Sequence, residues 1–188
     1  MTDDEIYKLL SNEKTKEKGF SILVGQLKEK VYWQIRRMVF LHEDTDDLVQ
    51  EVFIKVYQNI GSFKRDAALS TWVYRIAMNH TINFLQSQKR KNIIHFSSLN
   101  KTLLDNLKQN ISCDENDIEF KLQKALLSLP TKQREVFNLR YYDELPFKEM
   151  SSIMGTTESA LKASYHFATK KIQKKLLEED DVKIRLTD

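Results

Sequence analysis

The stretch Phe147-Lys148-Glu149-Met150-Ser151-Ser152-Ile153-Met154-Gly155-Thr156-Thr157-Glu158-Ser159-Ala160-Leu161-Lys162-Ala163-Ser164-Tyr165-His166-Phe167-Ala168-Thr169-Lys170-Lys171-Ile172-Gln173-Lys174 decides the architecture. It has the grammar of a helix-turn-helix: a short helix, a turn with Gly, and a longer basic helix. Gly155 is placed where the chain must leave the first helix through a left-handed residue. Thr156 or Thr157 is placed to cap the second helix, which is expected from Glu158 to about Leu177. Projected at 100° per residue, Leu161, Tyr165, Ala168 and Ile172 fall together and are expected to pack on the first helix. Ser159, Lys162, Ala163, His166 and Lys170 fall opposite, with Phe167 at the edge. Such a face combines small residues that enter a major groove, donors for base edges and cations for phosphates.

Working towards the N-terminus, Pro130 stops a helical pattern over Glu119–Leu129, and Thr131 is placed to cap another from Lys132 to about Tyr142. Between about Asn92 and Asp117 the periodicity weakens, and Ser, Asn, Asp and Lys are interleaved with scattered leucines. This is the expected flexible linker between two small helical domains. Upstream, Ile22, Leu23, Leu27, Val31, Ile35, Met38 and Val39 recur at three- and four-residue steps. Leu48, Val49, Val52, Phe53, Val56 and Ile60 form a second apolar stripe, with Asp44 as its expected cap, Asp46 and Asp47 in the first turn, and Gly61 as its stop. A polar loop of residues 62–68 leads to a third helix, capped by Ser70 or Thr71 and reaching about Lys89. The fold class is therefore all-α. Residues 1–18 read as a polar, partly disordered extension, 19–91 as the first domain, 92–118 as the linker, 119–178 as the second domain and 179–188 as a tail.

Composition narrows the function classes. The chain has 188 residues, 41% hydrophobic and 30% charged, with 4 Gly and 2 Pro. These values argue against overall disorder and against a turn-rich β architecture. A single cysteine, Cys113, excludes an intramolecular disulfide framework and a Cys-rich zinc site, and by itself makes a poor redox switch. No apolar run reaches bilayer length, and the start Thr2-Asp3-Asp4-Glu5 has the wrong sign for a secretory signal, so a cytoplasmic, reducing setting is expected. Net charge is only +3, but its distribution is uneven. Five acids lie between Leu41 and Glu51 with no Lys or Arg, and five lysines lie between Ala160 and Leu177 with no acid. Two surfaces with different partners are implied.

Four blocks carry a resemblance. They are Asp46-Asp47-Leu48-Val49-Gln50-Glu51-Val52-Phe53-Ile54-Lys55-Val56-Tyr57, Leu69-Ser70-Thr71-Trp72-Val73-Tyr74-Arg75-Ile76-Ala77-Met78-Asn79, Leu129-Pro130-Thr131-Lys132-Gln133-Arg134-Glu135-Val136-Phe137 and Met150-Ser151-Ser152-Ile153-Met154-Gly155-Thr156-Thr157. In order and spacing they resemble the extracytoplasmic-function (ECF) class of bacterial sigma factors, over roughly Gly19 to Leu177. The resemblance implies a dissociable, non-catalytic promoter-specificity subunit of RNA polymerase. Residues 19–91 would be sigma region 2 and 119–178 sigma region 4. The implied partners are core polymerase, through the clamp coiled coil and flap of its two large subunits, promoter DNA, and an anti-sigma factor. A membrane would be involved only indirectly, through that anti-sigma factor. No cofactor and no metal are implied.

The resemblance also assigns residues. Asp46, Asp47, Gln50, Glu51, Ile54 and Gln58 would dock on the clamp, where an acidic, amide-rich face suits a basic partner. Phe63, Lys64, Ala67, Trp72, Arg75, Asn79, Gln86, Lys89 and Arg90 would handle the −10 element as single-stranded DNA, with one base turned into a loop pocket. That chemistry asks for an apolar wall, amides and cations. The residues leave two readings of Trp72 open, core packing or base contact, and make His80 a core or boundary histidine. Ser159, Lys162, Ala163, His166, Phe167 and Lys170 would meet the −35 duplex. Here the chain departs from the family pattern, which often has two or three arginines in the stretch matching Lys162–Thr169. Fewer bidentate donors mean less direct guanine reading. Phe167 would either meet a thymine methyl or pack within the protein. Two rival readings explain less. A helix-turn-helix repressor leaves the first two blocks unused, and a metal nuclease built on Asp44, Asp46, Asp47 and Glu51 leaves the second domain unused.

Overall fold

The computed structural model describes residues 1–39, 41–91 and 118–186. Among these are eight α-helices and one 3-10 turn, and no strand. The chain forms two compact units, the first built on Met1–Arg90 and the second on the helices after residue 117. The expected linker, residues 92–117 with Cys113, and the terminal residues 187–188 lie outside the described residues.

The first unit contains α1 (Asp3–Leu10), α2 (Lys16–Val39), α3 (His42–Asn59), a 3-10 turn (Ile60–Ser62) and α4 (Leu69–Lys91). The apolar stripes read from the sequence meet in one core. Val31, Ile35, Val52, Val56, Val73 and Ala77 are fully buried there, with Leu23, Leu27, Leu48, Val49 and Phe53 around them. Each buried Val, Leu or Ile contributes about 1.5–3 kcal/mol relative to exposure.

The start of the chain corrects the expectation of a disordered extension. Residues 3–10 form a helix opened by a capping box, in which Thr2 and Glu5 exchange hydrogen bonds. Ile6 and Leu10 are buried in the core. A helix of eight residues is too short to persist alone, so packing rather than propensity holds it. The packing is close at Gly19, where an added Cβ would stand 2.8 Å from the Leu9 Cβ and 2.9 Å from the Leu10 backbone N.

Three local expectations also change. Helix α3 starts at His42, before Asp44, and Leu41 at its N-cap offers no side-chain bond. Asp44 therefore lies inside the first turn. Helix α3 ends at Asn59, so Gly61 is not its stop but sits in the 3-10 turn that follows, and the positive φ of this region belongs to Arg65 at 60°. Helix α4 starts at Leu69, ahead of Ser70 and Thr71, and the Leu69 N–H donates to Asp3 Oδ2 at 2.8 Å. A carboxylate 66 residues away thus does the work expected of a local hydroxyl.

The second unit contains α5 (Ile118–Leu127), α6 (Thr131–Tyr141), α7 (Phe147–Met154) and α8 (Glu158–Leu186). Pro130, not Thr131, is the N-cap of α6, and its carbonyl accepts from the N–H groups of Gln133 and Arg134. Ala125, Leu126, Leu129, Phe137, Ala168 and Ile172 share a core, on which Leu122, Tyr142, Tyr165 and Leu176 pack. Helix α8 continues to Leu186, past the expected end near Leu177 and through the expected tail.

Helix α6 buries two charged neighbours. Burial pulls the Arg134 guanidinium down to about 10 against the attraction of Glu135. Burial pushes the Glu135 carboxyl up to about 7, opposed by Arg134 and Lys132. Neither Glu135 oxygen has a hydrogen-bond partner, so burial outweighs the ion pairing.

Two stability predictions follow from this packing. Gly19→Ala should lower stability by about 1–3 kcal/mol through overpacking. Gly25→Ala, with open space around the new methyl group, should raise it by roughly 0.5–1 kcal/mol; urea titration of both variants measures the difference. Glu135 keeps its proton in the folded chain to about pH 7 but loses it near 4.5 when unfolded. Its burial penalty is absent below about pH 4.5, grows as pH rises towards 7, and is constant above. Thermal melts should show Glu135→Gln flattening the fall in stability between those pH values.

Candidate functional site

On α3, the core-facing stripe turns Asp47, Gln50, Ile54 and Gln58 outward, and all four are exposed. Ile54 is 56% exposed, a large apolar side chain among polar ones. The other two acids assigned to this face are engaged elsewhere. Asp46 lies 3.5 Å from His42 Nε2, and His42 Nδ1 is 2.8 Å from the Tyr32 hydroxyl. Glu51 Oε2 bonds His80 Nε2 on α4, so it faces the other side of α3. His80 is half-buried, as a boundary histidine should be. Asp44 has its pKa raised by burial and by the nearby Asp47 and Glu43 carboxylates. Among the described residues, no group of three or more His, Cys, Asp or Glu could hold a metal ion.

Beside this stripe runs an open groove of about 720 Å³ between α2 and α3. Phe20, Val24, Phe53, Ile54 and Tyr57 give it an apolar floor, with Gln50 and Gln58 at its rim. Phe20 packs edge-on against Phe53 and Tyr57. The sequence reading missed the α2 side of this groove. Phe20 and Val24, four residues apart and flanking the stripe through Leu23 and Leu27, were the available signal.

A second depression, of about 350 Å³, lies between α3 and α4 and is lined by Lys55, Asn59, Ser62, Trp72, Arg75, Ile76, Asn79, His80 and Asn83. It joins three assigned residues, Trp72, Arg75 and Asn79, and adds two amides, Asn59 and Asn83, and a lysine, Lys55, that sequence reasoning did not single out. Trp72 is only 6% exposed and packs in the core, and it also lines this depression. Gln86 is exposed further along α4. Lys89 and Arg90 fall in the last turns of α4, and their side chains lie outside the described ones.

In the loop before α4, Lys64 is exposed and Ala67 half-exposed. Phe63 is 7% exposed and packs between Tyr7 and Trp72, with ring centroids 5.5 Å from each. In this conformation Phe63 is a core residue rather than an open wall, because α1, absent from the sequence-based picture, supplies Tyr7 to cover it.

In the second unit, the turn between α7 and α8 matches the sequence reading. Gly155 has φ +61°, and Thr157 Oγ1 accepts from the Ala160 N–H at 3.3 Å. Leu161, Ala168 and Ile172 are buried, and Tyr165 stacks on Phe137. Ser159, Lys162, Ala163, His166 and Lys170 are exposed together. Phe167 does not pack internally: it is 57% exposed beside the His166 ring. Arg140 steadies the approach to α7 by donating to the Leu145 carbonyl at 3.1 Å and lying over the Phe147 ring. Of the α8 lysines, Lys171 donates to Gln133 Oε1, Lys174 pairs with Glu178 and Lys162 lies 3.9 Å from Glu158, exposed pairs that a phosphate can displace.

The sequence matches the family profiles of Sigma-70 region 2 over residues 23–91 and Sigma-70, region 4 over residues 119–172. It is 31% identical over 175 residues to the ECF RNA polymerase sigma-E factor of Escherichia coli (strain K12), covering 86% of this chain and 90% of that protein. The chain belongs to the ECF family of RNA polymerase sigma factors. The ECF RNA polymerase sigma factor SigW of Bacillus subtilis (strain 168) is 28% identical over 172 residues, 87% of this chain and 92% of that protein.

Two solved structures share the fold of this ECF factor. One is CnrH in complex with the cytosolic domain of CnrY, with a TM-score of 0.66 at 19% identity, covering 95% of this chain and 97% of that one. The other is the sigma factor RpoE in complex with the anti-sigma factor NepR from Bartonella quintana, with a TM-score of 0.63 at 18% identity over 85% and 97%. One matched region falls mainly in each of the two units, and no described helix is long and apolar enough to cross a membrane.

Proposed function

We propose that this ECF factor confers promoter specificity on core RNA polymerase by dividing three contacts among three exposed faces. The reading is carried by one observation. After both cores are packed, the residues left outward on α3, on α4 and on α8 are the types that a basic protein surface, a single strand and a DNA duplex each require.

Asp47, Gln50, Ile54 and Gln58, with the groove floor of Phe20, Val24 and Tyr57, form the polymerase face. An apolar centre with a polar, acidic rim fits a basic coiled coil: the rim sets orientation and docking rate, and the desolvated centre supplies affinity. Glu51 contributes by tying α3 to His80 of α4, and Asp46 by pairing with His42 one turn back on α3, rather than by contact. The depression lined by Asn59, Arg75, Asn79 and Asn83 receives the −10 strand. Its amides offer both donors and acceptors to base edges, while Lys55 and Arg75 take phosphates. Lys64 and Ala67 of the loop sit at its approach, and Gln86, Lys89 and Arg90 extend the path along α4.

Helix α8 enters the major groove of the −35 element. Lys162, Lys170 and Ser159 position it on phosphates, and His166 and Phe167 reach base edges, Phe167 meeting a thymine methyl group. The factor breaks and makes no bond. DNA opening draws on binding energy, because pockets that accept only unpaired bases shift the equilibrium towards the open form. Both solved structures of this fold described above are complexes, one of them with a named anti-sigma factor. Control of this chain by an anti-sigma protein that covers its polymerase face is part of the same proposal, and it places the factor in the cytoplasm with its polymerase.

Transcription from a promoter library by purified core polymerase with this chain tests the whole reading; failure to direct initiation from any promoter overturns it. Asp47→Lys combined with Ile54→Ala should weaken core binding by about tenfold or more, measured by fluorescence anisotropy, as expected for a charge and an anchor at one interface. Both side chains are exposed, so thermal melting should be unchanged. Lys162→Ala combined with His166→Ala should lower use of −35-dependent promoters by roughly tenfold and reduce the salt slope of DNA binding by about one. Core binding should be intact, and equal promoter use would remove these residues from readout.

A further inference from the structure

Helix α1 touches the loop of residues 63–68 at two places and the first residue of α4 at a third, all through residues separated from it by more than fifty positions. Asp3 Oδ2 accepts from the Leu69 N–H at 2.8 Å, where the loop becomes α4. Asp4 pairs with the Arg65 guanidinium. Tyr7 receives Phe63 edge-on at 5.5 Å and also lies under Arg65, 5.1 Å from its ring centroid. The loop is thus pinned at its first residue, at its strained residue and at its exit.

The strain has a location and a partner. Arg65 has φ 60°, a left-handed conformation that a non-glycine side chain seldom adopts without outside support. Its guanidinium is held by Asp4 and Tyr7 together. The carboxylate of Asp3 stands at the positive end of α4, where an anion is favoured and where an orphan N–H needs an acceptor. Between these fixed points, Lys64 and Asp66 are exposed and Ala67 is half-exposed, on the outside of the loop.

We infer that α1 is a positioning strut for −10 recognition: Asp3, Asp4 and Tyr7 set the conformation of the loop that presents Lys64 and Ala67, and so set promoter selectivity through that loop. This rests on the proposed −10 role of the loop and α4. It assigns a function to the first ten residues, which lie outside both matched family regions. The strut acts on preorganisation. A loop already held in its reading conformation loses less freedom when a base docks, and discriminates more sharply among bases.

The test uses the full-length chain with core polymerase and matched promoters that differ only in the −10 bases or only in the −35 bases. Core affinity is measured separately by fluorescence anisotropy. Asp3→Ala and Asp4→Arg should each leave core affinity within about twofold while −10 discrimination falls roughly fivefold, the effect expected of one lost cap. Discrimination among −35 sequences should not change. Asp3→Asn keeps an acceptor oxygen for the Leu69 N–H and should retain most of the selectivity. Arg65→Asp placed with Asp4→Arg should restore it through the reversed pair. Unchanged −10 discrimination in Asp3→Ala and Asp4→Arg overturns the strut, as does parallel loss of core binding and of both discriminations, which would make α1 a folding element only. A wild-type chain indifferent to −10 sequence would instead overturn the −10 reading itself, and the strut with it.

Discussion

The first unit depends on burying the apolar stripe of α3. Leu48, Val49, Val52, Phe53 and Val56 sit in a single core with the stripes of α2 and α4 and with Ile6 and Leu10 of α1. A helix has one circumference, so a stripe this wide leaves a narrow remainder. Asp47, Gln50, Ile54 and Gln58 occupy that remainder, and they face outward because Val52 and Val56 cannot. The depression between α3 and α4 has the same origin. It lies at the edge of the core, where Trp72 ends and Asn59, Asn79 and Asn83 begin.

The second unit repeats this logic on a smaller scale. Phe137 stacks with Tyr165, and Ala168 and Ile172 complete the seam. Once those are inward, Ser159, Lys162, Ala163, His166, Phe167 and Lys170 are outward as a set. The buried Arg134 and Glu135 show a cost accepted in the same core. Glu135 holds a proton near neutral pH because desolvation exceeds the attraction of two neighbouring cations. In both units the exposed face is the complement of the packed one, and chemistry is presented by what the core excludes.

Most of this was legible one segment at a time. The helix-turn-helix was readable because its signals are local: Gly155 at the left-handed position, Thr157 at a cap, and a four-residue recurrence of apolar positions. The same recurrence identified the cores of α2, α3 and α4. Legibility ended where a residue's role depends on something distant in the chain. Asp46 and Glu51 looked equivalent to Asp47 on the helix, but His42 and His80 claim them. Phe63 had the chemistry of a pocket wall, but Tyr7 covers it. Helix α1 was invisible as a core element because half of its eight residues are charged and only Ile6 and Leu10 are buried.

The amino-acid sequence by itself determined the helical class, the two units, the outward faces of α3 and α8 and the family, since periodicity, caps and motif spacing are properties of neighbouring residues. Only the tertiary structure decided which acids stay free, where the grooves open, and that the first ten residues hold the loop before α4. The physical reason is range. A hydrogen bond such as that between Asp3 and Leu69 is made across 66 residues by packing, and no local pattern encodes the partner of a side chain that the fold alone brings near.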